Sequence, residues 1–245
     1  MIKQNNILQF QSLSQFPQLI HGFSTRIFGS MRPSHAGYYE AVSNFISKLQ
    51  VNPLRLVRMN QVHNNVVHVV VDEEGGKVVP ETDGLLTDQK QIFLGVITAD
   101  CLPLFFYDPK KQIVAAVHAG WRGLYAEIIK EAVAKMREQG SNPKDILVGI
   151  GPSIRVCCYS VDEAFIEKFR EKFGDVEQFL QPRDGKVFFD LQKCAKEQLR
   201  IAGISENNIE DGDYCTFDHT DVYSCRREGK DFGEMMGIIG MRNEI

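Results

Sequence analysis

The stretch Ile113-Val114-Ala115-Ala116-Val117-His118-Ala119-Gly120-Trp121-Arg122-Gly123-Leu124 limits the possible folds more than any other part of the chain. Its uncharged apolar run reads as a strand, and it delivers His118 at its end. A Gly-Trp-Arg-Gly turn then leads into a helical period: Leu124, Ile128, Ala132 and Met136 recur every four residues beside Tyr125, Ile129 and Val133, until Gly140 stops them. A strand that feeds a helix through so tight a corner turns the helix start, with its free amides, back toward the histidine.

Other segments supply layers for that corner. Ile7–Phe10, Leu19–Ser24, Leu54–Met59, Val66–Val71, Ile92–Thr98, Leu104–Tyr107 and Ile146–Ile150 read as strands, and Leu104–Tyr107 with Ile113–His118 reads as a hairpin across Asp-Pro-Lys-Lys. Short strands are also expected at Val187–Phe189, Asn208–Asp211, Asp221–Cys225 and Met236–Met241. Residues 29–37 read as a loop. Helices are expected over Tyr38–Leu49, after a Ser160-Val161-Asp162-Glu163 capping box, and over Leu191–Ala202 behind Asp190 as N-cap. Pro103 should end regular pairing after Cys101. Without a Pro/Ser/Gly-rich linker, charge block or repeat, the 245 residues predict a single α/β domain, a mixed α/β arrangement of layered sheets flanked by helices.

Composition removes several functions. A net charge of −4 lacks the basic footprint of a protein that binds nucleic acid or an anionic membrane surface. The N-terminus has no signal-peptide pattern and no apolar run is long enough to span a bilayer, so a cytoplasmic location is expected. There the six cysteines should be reduced; they lack paired CxxC spacing, and most read as small buried hydrophobes.

His63, Cys101 and His118 all fall at ends of expected strands. Two imidazoles and a thiolate match an open catalytic zinc centre with a fourth position left for water or substrate; the same set could hold copper. Asp100, beside Cys101, is a candidate base, a partner of a metal ligand or a loop cap, and Asp83 is either a base or part of an Asp-Gly turn. Arg26 and Arg122 are candidates to hold an anion, against a solvated surface role for each. Trp121 either walls a pocket or packs in the core.

Together these pieces resemble the laccase-domain family, also described as multicopper polyphenol oxidase-like proteins and as purine nucleoside phosphorylases. The matching stretches are His-Gly-Phe-Ser-Thr-Arg (21–26), Gln-Val-His (61–63), Thr-Asp-Gly-Leu-Leu-Thr (82–87), Thr-Ala-Asp-Cys-Leu-Pro (98–103), His-Ala-Gly-Trp-Arg-Gly (118–123), Gly-Pro-Ser-Ile with Cys-Tyr-Ser-Val (151–161), Phe-Asp-Leu (189–191), Cys-Thr (215–216) and Ser-Cys-Arg-Arg (224–227). The resemblance implies zinc on His63, Cys101 and His118. It implies phosphorolysis of adenosine, inosine, guanosine and S-methyl-5′-thioadenosine, with adenosine deamination as a second activity, by a monomer or weak homodimer. The chain departs from the family after residue 29, where Ser-Leu-Asn-Leu is missing. It departs again where Thr-Gly-Arg gives way to Lys230-Asp231-Phe232-Gly233-Glu234.

Six histidines are too few for the several imidazole-rich sites of a true multicopper oxidase. A single-copper polyphenol oxidase, a hydrolase with Cys101 as nucleophile and His118 as base, and a peptidoglycan-editing role remain as alternatives.

Overall fold

The computed structural model describes residues 1–243. Two large sheets lie face to face, and helices cover their outer sides. The seven-stranded sheet runs in the order Ile2–Gln4, Ile7–Gln9, Leu19–Ser24, Met235–Met241, Phe93–Thr98, Leu56–Met59, Val78–Val79. The six-stranded sheet runs Ile209–Asp211, Leu147–Ile150, Leu102–Asp108, Ile113–Ala119, Gly84–Thr87, Val67–Val69. A small third sheet pairs Lys186–Phe189 with Ser160–Val161 and Leu180–Arg183.

Side-chain alternation explains the layering. In the Leu102–Asp108 strand, Phe105 and Tyr107 point into the space between the sheets, while Leu104 and Phe106 face the helices. Likewise Val114 and Ala116 face the other sheet, and Ile113, Ala115 and Val117 meet the Ile128–Glu138 helix. Every residue of both strands is buried, which is why the sequence is apolar apart from Asp108 and His118 near their ends and does not alternate. Phe23 and Phe105 stack across the inter-sheet space with ring centroids 4.6 Å apart. On the far side, Phe45, Ile46 and Leu49 of the Tyr38–Leu49 helix cover Phe93, Met236 and Ile238 of the seven-stranded sheet. Each such fully buried side chain contributes about 1.5–3 kcal/mol. The layered α/β arrangement is the one the sequence predicts.

Several local expectations give way to tertiary effects. Pro103 lies inside the Leu102–Asp108 strand, opposite His118. His118 turns its N–H to the Asp83 carbonyl and the Pro103 carbonyl accepts from Gly151, so no ladder bond is asked of the missing proline donor. The helix after the corner starts at Trp121, breaks after Tyr125 and resumes at Ile128 through Glu127 at φ 62°. Three side chains satisfy the freed carbonyls: Gln198 donates to Leu124, Lys172 to Tyr125 and Asn65 to Ala126. Asp162, not Ser160, caps the next helix, because Ser160–Val161 is claimed as a strand. Residues 221–225 are not a strand; Ser224 caps a one-turn helix, Cys225–Glu228. The Asp83-Gly84 pair, for which the sequence suggests a turn, opens the unanticipated strand Gly84–Thr87.

Candidate metal centre

His118 stands at the end of the Ile113–Ala119 strand and is only 3 % exposed. Its Nδ1 lies 2.7 Å from the Asp83 carboxylate, which leaves the opposite ring nitrogen for the centre. The other Asp83 oxygen accepts from the amides of Val62 and Asn64, at 3.0 and 2.9 Å. Those amides flank His63, so one fully buried carboxylate orients the first histidine and pins the loop that presents the second. His63 itself is exposed and sits at φ 63°, a left-handed conformation imposed by that clamp.

Cys101 arrives from the bend between the Phe93–Thr98 and Leu102–Asp108 strands. The bend passes through Asp100 at φ 86°. The Asp100 carboxylate accepts from Thr216 Oγ1 and from the Arg226 amide, both at 2.6 Å, and its carbonyl accepts from Ile154 at 2.9 Å. Asp100 thus ties the 215–226 segment to the cysteine-bearing bend.

One donor atom each from His63, Cys101 and His118 lies within 4.8 Å of the others. The two imidazoles meet edge to face, with centroids 4.8 Å apart. Gly120 closes the floor: a Cβ there would come 2.8 Å from Cys101 Sγ and 3.2 Å from the His63 ring. A side chain at 120 would fill the cradle.

Charge follows from this packing. Burial pushes the Cys101 thiol up, but the charge of His118 and hydrogen bonds from His118 and His63 outweigh it and hold the thiol below its ordinary range. Burial disfavours charge on His118 too, yet Cys101 and Asp83 raise it overall. Asp83 is held low by His118 and the two loop amides, against its own burial. The site therefore brings together a thiol disposed to ionise and an anion-oriented imidazole, which suits a divalent cation.

Cys101 also lines a hollow of about 410 Å³ whose walls include Asp100, Trp121, Tyr159, Cys225 and Arg226. Trp121 does both things considered for it: it packs on Phe165, with centroids 5.5 Å apart, and forms a wall of the hollow. The structure assembles His63, Cys101, His118 and Asp83 in one place. Arg122 is exposed and lies over the Trp121 ring at 4.4 Å, outside the lining of the hollow. Arg26 is also absent from that lining. Its guanidinium donates to the Thr220 and Val222 carbonyls, pairs with Glu228 and stacks on Tyr223 at 4.1 Å, so it anchors the 220–228 segment.

The sequence gives too little weight to three residues, Arg226 and Arg227, whose double basic pair in a polar turn reads as solvated, and Glu234. Arg226 lines the hollow, with its guanidinium on Ser160 and 5.1 Å from the Tyr159 ring. Arg227 binds four carbonyls, of Thr216, Phe217, His219 and Val222. Burial raises the Glu234 carboxyl, while Arg32, His118, His35 and His63 pull it back. Its signal in the sequence was the replacement of the family's Thr-Gly-Arg.

A family model described as multi-copper polyphenol oxidoreductase laccase matches residues 34–242. The chain belongs to this family. Purine nucleoside phosphorylase YlmD of Bacillus subtilis is 36% identical over 193 residues, covering 75% of this chain and 69% of the relative. Adenosine deaminase RL5, from an unknown prokaryotic organism, is 33% identical over 189 residues, covering 73% and 72%. Among solved structures, Bacillus licheniformis YfiH superposes with a TM-score of 0.88 at 29% identity, covering 98% of this chain and 97% of that one. Among the described residues no helix is long and apolar enough to cross a membrane.

Proposed function

We propose that the chain is a zinc-dependent purine nucleoside phosphorylase acting on adenosine, inosine, guanosine and S-methyl-5′-thioadenosine, with adenosine deamination as a second activity. The observation that carries this reading is a three-donor cluster with an open side, bordering a hollow large enough for a nucleoside and walled by two aromatic rings. The names of the relatives YlmD and RL5 support the same two activities.

In the proposed site His63, Cys101 and His118 hold the ion. A bound divalent ion supplies Lewis acidity and lowers the pKa of coordinated water. Asp83 fixes the His118 ring and keeps the His63 loop in place. Trp121 and Tyr159 offer faces on which a purine stacks. Arg226, aided by Arg122 over the Trp121 ring, draws phosphate in. In phosphorolysis a phosphate oxygen bonds to C1′ as the C1′–N9 bond breaks, and the electron pair leaves with the purine, which takes up a proton. Glu234, whose carboxyl burial holds above its ordinary range, is the candidate proton source. Asp100 and Arg26 serve as positioning residues, for Cys101 and for the segment bearing Arg226.

Copper bound at the same donors, supporting polyphenol oxidation, is a second reading, favoured by the nitrogen and sulfur ligand set. A Cys101–His118 hydrolytic dyad explains the thiolate but leaves His63 without a task.

Product analysis with adenosine, with and without phosphate, tests the proposal. Ribose-1-phosphate plus adenine is expected only with phosphate, and inosine in both conditions. Absence of all three products in metal-loaded protein overturns the nucleoside reading.

A further inference from the structure

We propose that Cys157, Cys158, Cys215 and Asp218 form a second metal site, closed by four protein ligands and suited to a thiophilic divalent ion such as zinc. The four donor atoms lie within 4.8 Å of one another, and none belongs to the His63–Cys101–His118 centre. The Cys157 and Cys215 sulfurs are 3.6 Å apart and those of Cys157 and Cys158 3.1 Å. The Asp218 oxygens stand 3.2 and 3.3 Å from the Cys157 and Cys158 sulfurs. Tetrahedral zinc with Zn–S bonds near 2.3 Å sets sulfurs about 3.8 Å apart, so a small opening of the Cys157–Cys158 pair admits the ion.

The backbone holds these donors in place. A turn brings the Cys158 and Tyr159 amides onto the Arg155 carbonyl, at 2.9 and 3.0 Å. Ser153 bridges to Cys215, with the Thr216 amide on the Ser153 carbonyl at 3.1 Å, and the His219 amide closes the loop onto the Cys215 carbonyl at 3.0 Å. Asp218 is exposed and Cys157 and Cys158 are half-buried, so an ion has a path in. Cysteine ligates as the thiolate, so binding an ion here releases protons. Thiolates of this kind select zinc-class ions over magnesium or calcium.

The site's place in the fold gives it a structural task. Thr216, next to Cys215, donates to Asp100 beside the first centre, and Tyr159, next to Cys158, walls the hollow. An ion here staples the 156–158 turn to the 215–219 loop and so steadies both.

Cobalt titration of reduced, metal-stripped full-length protein tests this. The unsubstituted chain is expected to take two equivalents, and Cys101→Ala to keep one with strong thiolate-to-cobalt absorbance. Cys215→Ser is expected to lose one equivalent together with most of that absorbance. No thiolate-bound cobalt in Cys101→Ala, or that absorbance unchanged in Cys215→Ser, overturns the proposal. Because the buried Cys215 variant can fail to fold, iodoacetamide labelling of the unsubstituted chain provides an independent readout. Excess zinc should suppress alkylation of Cys157 and Cys158 relative to chelator; equal alkylation overturns the proposal.

Discussion

His21 and His118 both sit on central strands, one in each large sheet, and both are almost completely buried. Their chemistry is opposite. His21 Nε2 accepts the Phe10 amide at 3.0 Å, its ring stacks near Phe10, and burial drives its pKa down to about 4. His118 meets equal burial, but a carboxylate on one side and a thiol on the other raise it. Burial alone makes a histidine a neutral acceptor. Two anionic partners turn it into an oriented ligand, and the comparison separates structural from functional histidines where residue type and exposure cannot.

The sharpest way to break the comparison is to remove the partners. Cys101→Ala or His118→Ala should abolish both nucleoside activities and the metal of the first centre, measured by product assay and elemental analysis. Full phosphorolysis by Cys101→Ala with no metal at the first centre would falsify the metal mechanism.

The His21 half is tested by pH. Its folded-state pKa lies below the unfolded value of 6.5, so below that pH the unfolded chain binds the extra proton. The stability concerned is present above pH 6.5 and lost as pH falls through about 4, a change of about 3 kcal/mol. Urea midpoints should therefore fall across that window, and the fall should be shallower in His21→Gln, whose amide oxygen can still accept from Phe10. Parallel profiles for the two proteins would show that His21 does not titrate as described.

A smaller effect comes from the carboxylate behind His118. Asp83→Asn leaves the shape and removes the charge, and should weaken zinc binding by about 10–100-fold in a chelator competition. Unchanged affinity would mean that Asp83 only holds the loop. Smallest of all is His68→Ala. His68 is partly exposed and paired with Glu74 at 2.9 Å, so its loss should cost at most about 1 kcal/mol and leave metal content and activity unchanged.

Much of this was legible from one sequence because burial on both faces leaves a plain signature. The Ile113–Ala119 and Phe93–Thr98 strands show as unbroken apolar runs, and the Tyr38–Leu49 helix as a stripe of period near four. Pairing across the sheets defeated local rules where it supplied a better partner. Pro103 stays in its strand because the neighbouring carbonyls and amides never need its N–H. The helix after the corner breaks at Glu127 because side chains from distant segments satisfy its free carbonyls. Asp83-Gly84 has turn composition, yet the strands on either side claim it.

The sequence by itself determined the layers, the corner and the types of ligand available, since these depend on hydrophobic period, glycine and proline placement and the donor chemistry of histidine and cysteine. Only the tertiary structure decided which donors meet. It took Arg26 out of the hollow and put Arg226 in, made Asp83 the partner of His118, and joined Cys157 and Cys158 to Cys215. The physical reason is that metal coordination and charge pairing act over a few ångströms between segments far apart in the chain, a proximity set by sheet register and loop clamps that no local pattern records.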